Sequence, residues 1–260
     1  MKEPKLIRLF HAVLERKDMI KFFINLWANF QKCFLNDSMW MMYLKGLRNT
    51  ILISIGACLL GLFIGIVVTC LRVAPKNNPI IKVLDKICSI YVTIIRGTPV
   101  VLQLFICYFV LFIGIRSDRL FGIPETEGVI VAIVAFGFNS GAYMSEILRG
   151  GINAVDKGQM EAGRSLGLSW IQTFIRIILP QSLKSAIPTM FNEFITLIKE
   201  TSVAGYVGIL DLTKIQTYIT TQTMELFTPL ILIAIIYLII VLALEQAQKR
   251  IEKRLTKDGR

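Results

Sequence analysis

Apolar residues fall along this chain in long blocks, and the gaps between them are short and mostly basic. The first block runs from about Leu47 to Leu71 and ends at Arg72. After the polar link from Ala74 to Asn78 comes an amphipathic stretch to about Tyr91. Further blocks cover roughly Pro99 to Ile115, Gly128 to Leu148, Ser185 to Gly208 and Leu226 to Leu244. Each is long enough to cross a hydrocarbon core of roughly 30 Å at about 1.5 Å per helical residue. The pattern predicts an all-α, polytopic membrane protein with about five transmembrane helices. Residues 1–42 read as an N-terminal extension in which Ile20 to Leu35, interrupted by Lys21 and Lys32, forms an amphipathic helix at the membrane surface. Residues 43–248 form the transmembrane domain, and residues 249–260 form a basic tail.

Charge sets the orientation. Arg72, Lys76, Lys82 and Lys86 lie between the first two spans, and Arg149, Lys157, Arg164, Arg176 and Lys184 between the third and fourth. The tail holds Lys249, Arg250, Lys253, Arg254, Lys257 and Arg260. An odd number of spans puts all three regions on one side, which the positive-inside rule makes cytoplasmic. The N-terminus is then outside, although Lys2, Lys5, Arg8, Arg16 and Lys17 make it basic as well. A sixth crossing near residues 20–42 would remove that conflict.

Composition narrows the function classes. Of 260 residues, 54% are hydrophobic, too many for a soluble domain, so the net charge of +11 reads as lipid-facing loops and not as a nucleic-acid surface. Cys33, Cys58, Cys70, Cys88 and Cys107 show no metal-type spacing and read as small packing residues. His11 is the one histidine in the chain, so neither a metal site nor a Ser-His-Asp triad is expected. The chain also holds no G-x4-G-K-[S/T] phosphate loop, and any ATP chemistry must belong to another subunit.

The most informative stretch is GQMEAGRSLGLSWIQTFIRIILP, Gly158 to Pro180. Met160 to Leu166 can form a short helix that Gly167 ends in a left-handed turn. Ser169 can cap a second helix carrying Trp170, Phe174 and Ile177, and Pro180 suits the start of another. Glu161, Ala162, Gly163, Gly167, Ile177, Leu179 and Pro180 fit the spacing E-A-A-x3-G-x9-I-x-L-P, with Gly163 where alanine is usual. This resembles the Glu-Ala-Ala cytoplasmic loop of ABC importer permeases, whose coupling helix docks in a cleft of the ATP-hydrolysing subunit. An ordinary amphipathic loop between spans is the plainer alternative.

Two further stretches, Ile95-Arg96-Gly97-Thr98-Pro99 with Gln103, and Ala142 to Gly151 (AYMSEILRGG), resemble signatures of the polar amino acid uptake family of permeases. The likeness runs from about Lys45 through Lys199-Glu200-Thr201-Ser202 into the fifth span. It implies a non-enzymatic permease subunit of a bacterial inner-membrane importer, paired with an identical or paralogous permease. It also implies two ATPase subunits that bind ATP and magnesium, and an extracytoplasmic solute-binding protein; this chain itself would hold no cofactor.

A substrate path is expected in the fourth span. Glu193 and Glu200 are seven residues apart, two helical turns or about 10.5 Å on one face, and Asn192 and Lys199 repeat that spacing beside them. Membrane carboxylates usually face a cavity or a partner, and the alternative is an ion pair between Glu200 and a lysine across a subunit interface. Gln103 can add a neutral hydrogen bond from the second span. Glu146 and Arg149 sit at a span end, where they reach water or headgroups. Acidic groups at the Glu193 position resemble carriers of basic amino acids, so arginine, lysine or histidine is expected, then glutamine or cystine. The rivals from other classes are a secondary transporter, which would need an internal repeat and its own coupling sites, and an intramembrane hydrolase.

Overall fold

A computed structural model of the protein describes residues 21 and 23–257, and most of these residues are helical, with no strand among them. The basic residues Lys2 to Lys17, His11 and Arg260 lie outside the described residues.

Helix α1, residues 23–30, continues into a π turn at Gln31–Leu35 and a 3-10 turn at Asn36–Ser38. Ser38, at φ 57°, breaks the direction before α2, Met39–Val73. Helix α2 stops where Ala74 precedes Pro75 and is driven extended, at φ −56° and ψ 144°. Asn78 then caps α3, Pro79–Arg96, by accepting the Ile80 N–H at 2.9 Å, with Pro79 in the first turn where no N–H is needed. Helix α4, Val100–Ile106, runs on through a π turn at Cys107–Leu111. Gly128, at φ 77°, opens α5, Val129–Asn153.

The chain then forms α6, Lys157–Ser165, and α7, Trp170–Thr173. A π turn at Phe174–Ile178 joins α7 directly to α8, Leu179–Glu200, which ends in a 3-10 turn at Thr201–Val207. Helices α9, Leu212–Thr223, and α10, Phe227–Lys257, complete the described chain.

The centre of the bundle is the crossing of α2 and α5, and its closeness comes from small residues. A Cβ added at Gly65 would lie 2.6 Å from the Met144 Cβ, and one at Gly61 would lie 2.9 Å from the Ser140 Cβ. From the other side, Gly137 and Gly141 receive Leu60 and Ile64, again below 3 Å for any added Cβ. Where lipid is as apolar as leucine, such close backbone approach is a main source of helix association. Ile53, Ala57, Leu104, Phe136 and Leu197 extend this seam into a core joining α2, α4, α5 and α8. Helix α3 packs on the opposite flank through Cys88 and Val92 against Val68 and Ala142. At the end away from α6, a second core gathers Tyr43, Leu212, Ile215, Ile219 and Ile233 from α2, α9 and α10. There Asn49 donates to the Glu125 and Leu210 carbonyls at 2.6 and 2.9 Å, and Lys45 pairs with Glu125 at 2.9 Å.

Several expected boundaries move. The first span is longer than expected, since α2 begins at Met39, inside the stretch assigned to the N-terminal extension. The amphipathic stretch after it is a full helix to Arg96, and it meets α4 and its π turn at a bend of 107°. Among the described residues, α2, α5 and α10 are long and apolar enough to span, and the bent pair makes a fourth if it is one crossing. The fifth element is α8. It is about 33 Å long by helical rise, but Lys184, Glu193, Lys199 and Glu200 make it too polar to count by composition. It also ends at Glu200, not Gly208, because Gly205 and Gly208 close the chain into a 3-10 turn. Helix α10 continues past the last apolar block into the basic tail, through Lys257.

Candidate functional site

Helices α6 and α7 form a compact hairpin at the end of the bundle where α5 stops. The Asp156 side chain starts α6 by accepting the Gly158 N–H at 2.7 Å. Gly167 ends it at φ +85°, with the Gly167 N–H on the Arg164 carbonyl at 3.0 Å and the Leu168 N–H on the Gly163 carbonyl at 3.1 Å. These two bonds are the Schellman pair that satisfies a helix C-terminus, and a left-handed residue is required to make them. Ser169 and Gln172 then form a reciprocal capping box at the start of α7.

The departure at Gly163 has a physical reason. Gly163 is buried against α7, and an alanine Cβ there would lie 2.4 Å from the Thr173 Cγ2. The Thr173 hydroxyl is itself fixed on the Ser169 carbonyl at 3.0 Å, so the methyl has little freedom to retreat. Thr173 thus takes the volume that an alanine at position 163 would use.

Glu161, Ala162 and Gly167 are all exposed, and Leu166 presents 81% of its surface between them. The hairpin therefore offers an outward face of small groups, one carboxylate and one bare leucine. Its other side is committed to the bundle. Trp170 stacks on Phe174 with centroids 5.2 Å apart, and both wall an apolar cleft of about 650 Å³ against Ile66 of α2 and Leu148 of α5. Leu179 lines the same cleft, while Pro180 sits in the first turn of α8 and is exposed. Pro180 thus stands at the start of a helix as expected, although that helix follows α7 without a break. The π turn ahead of it, closed by the Leu179 N–H on the Phe174 carbonyl, is the wider winding that lets the rod continue past a residue without an N–H.

The carboxylates of α8 are half-buried, and Glu193 faces α5, where the buried Ser140 hydroxyl donates to it at 3.3 Å. Leu59 and Leu62 of α2, Met144 of α5 and Phe191 and Phe194 of α8 bound a second apolar cleft, of about 300 Å³. None of the ion pairs among the described residues includes Glu193 or Glu200. The two neutral candidates have structural partners instead. Gln103 spans the α3–α4 bend, donating to the Ile95 carbonyl at 2.8 Å and to Thr98, and it accepts from Asn139 at 3.0 Å. Asn192 accepts from Gln248 of α10 at 2.9 Å, and Gln248 also donates to the Pro188 carbonyl.

Sequence reasoning missed Asn139 and Ser140, the α5 residues that bring Gln103 and Glu193 onto neighbouring faces of one helix. The signal was there, since they are adjacent polar residues inside an apolar block.

The chain is similar to known proteins over most of its length. A family described as "Binding-protein-dependent transport system inner membrane component" matches residues 61–257. A putative glutamine transport system permease protein of Rickettsia bellii is 38% identical over 211 residues, covering 81% of this chain and 91% of the relative. An arginine transport system permease protein of Bacillus subtilis is 36% identical over 214 residues, 82% of this chain and 91% of the relative. An L-cystine transport system permease protein of the same organism is 34% identical over 225 residues, 86% of this chain and 90% of the relative. Among solved structures, an amino acid ABC transporter crystallised with histidines superposes with a TM-score of 0.72 at 32% identity, over 82% of this chain and 94% of the other. The inward-facing MetNI methionine ABC transporter shares the fold at TM-score 0.70 and 21% identity.

Proposed function

This chain belongs to the family of binding-protein-dependent transport system inner membrane components and is a permease subunit of an amino acid ABC importer; from that premise we propose that it carries basic amino acids inward, driven by a separate ATPase that docks on α6. The observation that carries the solute assignment is Glu193, a half-buried carboxylate with one hydroxyl partner and no cation in ion-pair contact among the described residues. A guanidinium or ammonium group of a solute would supply that missing charge through a charge-assisted hydrogen bond. The docking surface in this reading is the exposed face of Glu161, Ala162, Leu166 and Gly167, with Gly163 buried beneath it. It lies at the same end of the bundle as the last turns of α10, because Gln248 rests on the loop-proximal half of α8. A second permease subunit and a solute-binding protein at the far end complete the assembly in this reading.

The decisive experiment is uptake into proteoliposomes holding the permease with its ATPase and binding protein. Arginine uptake is expected to require ATP, and lysine or histidine to compete better than glutamine. Uptake that persists without ATP would remove the ATPase from the mechanism. Equal competition by glutamine and cystine would leave a general polar amino acid permease. That second reading has its own support in the paired amides of Gln103 and Asn139 and in relatives named for glutamine and cystine.

The orientation in this reading is tail inside, with the loop between α4 and α5 outside. In a cysteine-free background, single cysteines at Asp118 and Lys253, both exposed, are expected to react with an impermeant thiol reagent from opposite faces. Labelling of both from one face would invert or abolish that topology.

A further inference from the structure

Four polar residues of α5, Asn139, Ser140, Tyr143 and Glu146, receive side chains from the helices around them. Asn139 donates to Gln103 of α4 at 3.0 Å, and Gln103 donates in turn to the Ile95 carbonyl at 2.8 Å, which ties the end of α3 to α5. Ser140, the next residue, donates to Glu193 of α8 at 3.3 Å. Three residues on, about 4.5 Å along the helix, the Tyr143 ring lies under the Arg96 guanidinium at 5.2 Å. Arg96 is the last residue of α3 and continues the row of Cys88 and Val92, which are buried against the bundle. A guanidinium and a carboxylate therefore approach one stretch of α5 from different helices.

Arg96 has donors to spare. Glu146 lies within ion-pair distance, but Arg72 pairs with it directly and Arg149 donates to it at 2.6 Å. Arg96 is left 3.8 Å away, beyond hydrogen-bond range, with its side chain 44% exposed. A guanidinium has five N–H donors, and that of Arg96 forms no hydrogen bond among the described residues. Its charge also acts on Glu193, across a gap too wide for direct contact. Arg72 and Arg149 meanwhile hold the charge of Glu146, so this corner is net positive and does not repel an incoming anion. A separated cation and carboxylate match the charge pattern of a free amino acid. We propose that Arg96 is a specificity-determining residue of the solute path, donating to the α-carboxylate of the amino acid whose cationic group meets Glu193. The planar fork of a guanidinium suits a carboxylate, which can accept two parallel N–H bonds from it. The assignment rests on Glu193 marking the path, and not on which amino acid is carried.

The test removes the carboxylate from the solute before it changes the protein. Affinities of arginine and argininamide, and of glutamine and glutaminamide, are measured by saturation-transfer NMR on the permease–ATPase complex. The binding protein is left out, because its own selection would mask the result. In the wild type each amide is expected to bind about ten- to a hundredfold more weakly than its acid, the effect of one charge-assisted hydrogen bond. Arg96→Gln should weaken the acids by a similar factor and leave the amides as they were. Arg96→Lys, which keeps the charge without the fork, should restore part of the preference. Glu193→Gln should keep the preference for acid over amide while it weakens arginine more than glutamine. Loss of that second effect alone would refute the basic-solute reading and leave Arg96 in place. Equal affinity for acid and amide in the wild type would overturn the proposal, whether or not Arg96→Gln assembles. A preference that survives Arg96→Gln unchanged, or a fall in acid and amide together, would overturn it as well.

Discussion

Gly167→Pro is expected to abolish uptake and to lose the ATPase on purification, while the permease still inserts in normal amount. Proline fixes φ near −65°, whereas Gly167 sits at +85°, and proline has no N–H to give the Arg164 carbonyl. The Schellman closure of α6 therefore cannot form, and the exposed face from Glu161 to Leu166 loses its fixed relation to α7. Gly167 meets no atom within 4 Å of an added Cβ, so the defect is one of backbone and not of crowding. That separation gives a graded series. Gly167→Ala should cost about 1–2 kcal/mol of loop order, and Gly167→Asn less, since asparagine tolerates the left-handed region. Ala162→Arg tests the surface itself, because Ala162 is exposed and the loop can keep its shape. Normal co-purification of the ATPase with sustained uptake in both Gly167→Pro and Ala162→Arg would refute docking at this hairpin.

Glu193→Gln is expected to weaken arginine and lysine uptake by about one to two decades and neutral amino acids far less. The estimate follows from roughly 1.5–3 kcal/mol for a hydrogen bond to a charged group, converted at about 1.4 kcal/mol per decade. Glutamine keeps the shape of Glu193 and an acceptor for Ser140, so the helix pair should assemble and basal ATP hydrolysis should stay near normal. Measuring initial rates for arginine and glutamine side by side separates loss of charge recognition from loss of transporter. A variant that handles both solutes as the wild type does would exclude Glu193 from the path. One that fails to assemble would instead make the carboxylate a packing element of the α5–α8 contact.

Much of the α6–α7 hairpin was legible because its signals are local. Gly167, Ser169 and the apolar spacing of Trp170, Phe174 and Ile177 each act through a few neighbouring backbone groups. Gly163 was legible only as a small residue; that it must be glycine depends on Thr173, ten residues away in chain and in contact in space. Helix α9 escaped notice because threonine and glutamine dominate LTKIQTYITTQT, although Leu212, Ile215 and Ile219 mark a buried stripe at helical spacing. The bend after Arg96 was equally hidden. Gly97 and Pro99 announce a break, but not whether the chain turns back or continues, and Gln103 sets that through bonds to Ile95 and Thr98. The same bonds show why an amide read as a solute contact is occupied in this conformation.

The unbroken path from α7 through the π turn into α8 would let the α6–α7 hairpin act as one end of a lever. With α2 and α5 held together by glycine contacts, that pair would be the stationary member and α8 the arm that pivots against it. A tilt of roughly 10° about Pro188 would carry the far end of α8, about 18 Å away by helical rise, through about 3 Å. Pro188 divides the arm, and Gln248 grips the carbonyl at the division, so α10 is placed to act as a fulcrum. Leverage of this kind scales with distance from the fulcrum, and Glu193 and Glu200 both ride on the outer segment. The same small rotation would displace Glu200 more than Glu193, drawing the two carboxylates through different arcs in one stroke.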